Sequence, residues 1–106
     1  MTDEQINAAI AEACGWTNVS ARHRSGRSPG ADDLYVGHEF LPNYCSDLNA
    51  MHEAERVLSK EQIENYCDLL WPKGYGWFCA IHTTARQRAE AFLRTLGKWE
   101  EVQDAN

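Results

Sequence analysis

The sequence predicts an α+β domain, an α/β sandwich in which helices cover both faces of a small sheet of two or three strands. Three observations carry that prediction. Apolar residues recur at helical spacing in four segments. Short strand-like stretches lie between those segments in mixed order. The string YGWFCAI (75–81) is apolar and aromatic on both of its alternating faces, as in a strand covered from two sides.

The first helix opens at Thr2, which with Gln5 forms a capping box that satisfies two backbone donors left unpaired at a helix start. Ile6, Ala9, Ile10 and Ala13 follow at helical spacing, and Gly15 supplies the left-handed residue that stops the helix. Residues 16–21 read as a short strand. The next stretch, RHRSGRSPGADDLYVG (22–37), holds Gly26, Pro29, Gly30 and two Asp residues, which argues for a hairpin or a long loop, with Leu34, Tyr35 and Val36 as a strand fragment. HEFLPNYC (38–45) is a connector, because Pro42 disfavours a helix there.

The second helix starts near Ser46 or Asp47. Ser59 and Gln62 make another capping box for the third, whose apolar face is Ile63, Tyr66, Cys67 and Leu70, and Trp71-Pro72 ends it. The last helix is capped by Thr83 or Thr84, carries Ala85, Ala89, Phe92, Leu93 and Leu96 on one face, and stops at Gly97. Residues 1–100 make one domain and 101–106 an acidic tail. No repeat or low-complexity segment interrupts them.

At 106 residues, 43% hydrophobic and 25% charged, the chain has the size and balance of one globular domain that folds alone. A net charge of −6 argues against strong nucleic-acid binding, since phosphate backbones select basic surfaces. No apolar run approaches the roughly 20 residues that span a bilayer, and no signal-type segment opens the chain. A cytoplasmic protein without membrane association is therefore expected. Cys14, Cys45, Cys67 and Cys79 are widely spaced, as in a reduced protein with free thiols.

One residue stands out in the second helix. Leu48, Met51, Ala54 and Leu58 share a face at about 100° per residue, and Glu55 projects between Leu48 and Met51. A buried charge stripped of its partner costs roughly 3–5 kcal/mol, so a basic group is expected against it. Arg86 and Arg88, which flank the apolar face of the last helix, match a carboxylate in fork geometry. Such a pair can simply tie two helices together or can line a pocket, and both readings stand.

Beside it, Asn49, His52, Glu53 and Arg56 form a polar stripe that is either a solvated face or a recognition surface. His52 lies one turn from Glu55, which permits an acid/base couple, although no nucleophile or phosphate-loop motif accompanies it. Cys79-x-x-His82 lacks a second ligand pair, and no metal or cofactor is expected. An anion site is the richer possibility. The start of the last helix offers unpaired amides, the hydroxyls of Thr83 and Thr84, and the charges of Arg86 and Arg88. Arg22, His23, Arg24 and Arg27 are the other dense basic segment, and convergence of the two would trap a phosphate.

The strings INAAIAEACGW, LPNYCSDLNAMHEAE and TARQRAEAFLRTLGKW resemble the phage ABA sandwich domain family, small proteins of bacteriophages and prophages. The resemblance implies a layered α-β-α sandwich in a phage accessory protein and brings no catalytic residues. The expectation is thus a non-catalytic phage binding protein in the host cytoplasm, taking a small anionic ligand such as a nucleotide-like signal, as in counter-defence. A module that blocks a host protein and a small enzyme using His52 and Glu55 are the alternatives. The aromatic content, four Trp, four Tyr and three Phe, is compatible with a homo-oligomer.

Overall fold

A computed structural model describes residues 1–29, 39–70 and 83–100. The strand expected at 75–81, the fragment at 34–36, the Trp71-Pro72 stop, the Cys79-x-x-His82 pair and the tail at 101–106 lie outside the described residues. Within them the order is α1 (Asp3–Ala13), β1 (Thr17–Ser20), β2 (Ser25–Arg27), β3 (Glu39–Phe40), α2 (Leu48–Glu55), α3 (Lys60–Leu70) and α4 (Ala85–Thr95). The fold is α+β, as the periodicity predicts. Its sheet is antiparallel in the order β1-β2-β3.

The starts of α1, α3 and α4 share one device. The Thr2 hydroxyl accepts from the Gln5 amide at 3.2 Å while the Gln5 side chain accepts from the Thr2 amide at 2.9 Å. The same reciprocal pair recurs at Ser59 and Gln62 and again at Thr84 and Gln87. The third box shows that Thr84, not Thr83, is the cap. Helix α2 starts differently: the Asp47 carboxylate accepts from the amides of Asn49 and Ala50.

Two helix ends also match. After α1 the Trp16 amide donates to Ala11 O and the Gly15 amide to Glu12 O; after α4 the Lys98 amide donates to Leu93 O and the Gly97 amide to Arg94 O. Both are Schellman turns, and they require the positive φ of Gly15 (99°) and Gly97 (71°). Each turn sends the chain back along the helix it has just left.

The start of the basic stretch, read as a hairpin or a long loop, supplies the turn and second strand of a hairpin with the preceding strand β1, with Thr17 opposite Arg27 and Ser20 opposite Ser25. Its second strand is the short run Ser25–Arg27. The turn between the strands places Arg24 at φ 52°, a left-handed value uncommon for a residue with a side chain. Glu39 and Phe40 then extend the sheet beyond β2.

Helix α4 is the hub, packing against α1, α2 and α3, while α1 also touches β1. Phe92, Leu93 and Ala89 of α4 meet Ile6 and Ile10 of α1, Met51 and Ala54 of α2, and Tyr66 and Leu70 of α3 in one buried cluster. Leu48 and Ile63, expected on the core faces of their helices, are exposed instead. Each sits in the first turn of its helix, outside the buried seam. Among the described residues no helix is long and apolar enough to cross a membrane.

The Gly97 turn yields a direct check. No atom lies within 4 Å of where a Cβ would stand at Gly97, so Gly97→Ala creates no clash. Its cost is the left-handed backbone alone, about 1–2 kcal/mol. Denaturant unfolding should show that loss, and Thr84→Ala should cost about 1 kcal/mol through its capping box.

Candidate functional site

Glu55 is the last residue of α2, and its carboxylate turns inward between helices. Arg88 Nη1 donates to Glu55 Oε2 at 3.2 Å, with only 15% of the arginine side chain and 22% of the glutamate side chain exposed. Tyr66 of α3, 5% exposed, brings its hydroxyl beside the same pair. Burial, followed by the neighbouring Glu55 carboxylate, holds that phenol well above the ordinary range. The hydroxyl has no partner at full hydrogen-bond geometry. Three helices thus meet at one polar point in an otherwise apolar seam.

Of the two arginines expected to compete for Glu55, Arg88 takes it. Arg86 instead donates through Nε to Asp3 Oδ1 at 3.1 Å. The reason is angular: two residues along a helix rotate the side chain by about 200°, so Arg88 faces α2 and α3 while Arg86 faces α1. The second basic segment also reaches α1, where Arg24 Nη2 lies 2.8 Å from Glu4 Oε1. The two basic segments therefore do approach each other, at adjacent residues of one helix turn. Each arrives with a carboxylate in hand.

A cleft of about 370 Å³ opens beside this turn, lined by Asp3, Glu4, Asn7, Arg24, Phe40, Leu41 and Asn43. Asn7 organises its wall. The Asn7 side-chain amide donates to Asn43 Oδ1, and Asn7 Oδ1 accepts from the Cys45 amide, each at 3.2 Å, which pins the 41–45 connector onto α1. Phe40 stands at the rim with 85% of its surface exposed.

Of the residues singled out in the sequence, Arg24 alone lines this cleft. Arg22 is exposed in the hairpin turn and Arg27 belongs to β2. Asn49 and His52 stand in solvent, and Glu53 pairs with Arg56 on the same exposed face. Among the described residues no hydrogen bond joins His52 to Glu55, whose carboxylate is committed to Arg88. The Thr84 hydroxyl accepts from Gln87 as a cap. Asp3, Glu4, Asn7, Phe40 and Asn43 were missed. The only available signal was Phe40, an aromatic in a connector flanked by polar residues.

The thiols of Cys14, Cys45 and Cys67 are passive. Burial raises the Cys45 thiol to about 11, with Asp3 adding to the rise and Arg86 opposing it. Burial likewise raises Cys14 and its neighbour Tyr44, and raises Cys67. Each thiol stays protonated and poorly nucleophilic at neutral pH. Among the described residues no group of three or more His, Cys, Asp or Glu side chains is placed to hold a metal ion. In comparisons with known proteins, no family model, no curated protein and no solved structure matches this chain.

These contacts separate two kinds of ion pair. Glu55→Ala should destabilise the fold by about 2–3 kcal/mol, somewhat under the fully buried case because water reaches both groups. Glu4→Ala should change stability by less than about 1 kcal/mol. Denaturant midpoints of the two variants test the contrast. In the unfolded chain thiols ionise near 9 and phenols near 10; in the folded chain Cys45, Tyr44 and Tyr66 ionise later. Above pH 9 the unfolded state therefore holds fewer protons, and stability should fall as pH rises. Cys45→Ala should flatten the part of that fall between pH 9 and about 11.

Proposed function

We propose that the chain is a non-catalytic binding protein that takes a nucleotide-like anion in the cleft between the first turn of α1 and the β2–β3 edge. The observation that carries this reading is Phe40, an aromatic ring left in solvent at the rim of a polar cleft that also holds an arginine. Stacking on an aromatic side chain is worth about 1–3 kcal/mol per base and is tolerant of base identity. Arg24 supplies the phosphate contact. Its present partner Glu4 is easily displaced, because exposed pairs, here 69% and 43% exposed, contribute about 0–1 kcal/mol.

The remaining lining sets the ligand class. The Asn43 side-chain NH2, held in place through Asn7, can donate to a base, and the Asp3 and Glu4 carboxylates accept from amino or ribose hydroxyl donors. The same carboxylates repel a highly charged triphosphate. A ligand with one phosphate per base fits best. The resemblance to phage proteins supplies the setting: a host cytoplasm in which sequestering such a signal would blunt a defence. A second reading is favoured by the open polar face of α2, where Asn49, His52, Glu53 and Arg56 stand in solvent and can contact a host protein.

Calorimetric titration with a panel of AMP, GMP and cyclic dinucleotides tests the cleft. Phe40→Ala and Arg24→Ala should each weaken binding at least about tenfold, the equivalent of one stacking or charged contact. His52→Ala should leave it unchanged. Binding that survives both cleft variants, or binding to none of the panel, removes this reading.

A further inference from the structure

The cleft is wired to the chain ends through one side chain. Asp3 lines it and accepts from Arg86 at 3.1 Å. The Arg86 guanidinium also stands over the Trp99 ring, 5.7 Å from its centroid, and Arg94 covers the same ring at 5.2 Å. Trp99 belongs to the segment that the Gly97 turn folds back, and it packs partly buried against the core with its indole Nε1 enclosed and unpartnered. Next to it, the Glu100 carbonyl accepts from the Met1 ammonium at 3.2 Å.

We infer that Asp3, Arg86 and Trp99 form a relay that couples occupancy of the cleft to the seating of the C-terminal strap at 97–100. The inference rests on the cleft being the ligand site. Arg86 divides its charge between two partners of similar worth. The exposed pair with Asp3 and the cation over a partly exposed indole are both weak contacts of comparable strength. Comparable energies are the condition for a population shift by a modest input. Asp3 holds the guanidinium over the ring, so a ligand whose donors claim the Asp3 carboxylate releases Arg86 and leaves Trp99 covered by Arg94 alone. Linkage makes the effect reciprocal: a strap that seats more firmly alters affinity in the cleft.

Asp3→Asn in the full chain withdraws the anchor without a ligand. Acrylamide quenching of Trp99, isolated by subtracting the Trp99→Phe protein, should rise by up to about twofold with a red-shifted emission as the Arg86 side of the cation cover is lost and Arg94 stays. In an Arg86→Gln background the same Asp3→Asn change should add nothing. An unchanged Trp99 signal in Asp3→Asn, or an equal change with and without Arg86, overturns the relay. Saturating AMP should reproduce the Asp3→Asn signal in the wild-type chain. AMP that binds by calorimetry without moving Trp99 overturns the coupling and leaves the cleft standing. Where AMP fails to bind, the panel nucleotide that does bind takes its place; binding by none of the panel counts against the cleft, and the Asp3→Asn comparison then decides the relay by itself.

Discussion

The contact between Glu55 and Arg88 governs how the helices of this protein can be arranged. Apolar faces are permissive, because Leu, Met and Phe side chains can be repacked in several registers at modest cost. A carboxylate and a guanidinium set between helices are not. Only an arrangement that brings the end of α2 to the first turn of α4, with Tyr66 of α3 alongside, satisfies both charges. Breaking such a pair costs far more than its formation contributes, so its effect is to exclude alternatives. Helix α4 can be the hub of the core because its one inward charge is answered.

The ion pairs around α1 obey the opposite logic. Arg24 with Glu4 and Arg86 with Asp3 lie largely in solvent, where screening leaves little net attraction. They hold arginines in place without committing them. Both arginines stand beside the cleft in pairs that a competing group can displace at little cost. The strongly held pair belongs to the fold, and the weakly held pairs belong to the open surface beside the cleft.

The two ends of the described chain meet on the same side of the molecule. The Schellman turn at Gly97 reverses the chain after α4, Trp99 lies back along the ridge of Arg86 and Arg94, and Glu100 reaches the N-terminus. Helix α1 is thereby held from three directions: by α4 in the core, by the hairpin through Arg24, and by the connector through Asn7. The cleft sits where the last two holds converge. Its shape is set by backbone fixed on both sides, with Phe40 the exposed aromatic at its rim.

Local physics was readable along the chain. The hydroxyl-x-x-Gln boxes at Thr2 and Ser59, the glycine stops at Gly15 and Gly97, and the need of Glu55 for an arginine all follow from bonds within a few residues or from the cost of burying charge. The same reading placed Leu48 and Ile63 in the core and left Arg86 and Arg88 as equal candidates. A helical period says which residues share a face and nothing of how far along that face the neighbouring element extends. Arg24 with Glu4, Arg86 with Asp3, Asn7 with Asn43, and the rim position of Phe40 were decided by tertiary structure. Each joins separate elements of the chain, and distance across space is a property that sequence spacing does not encode.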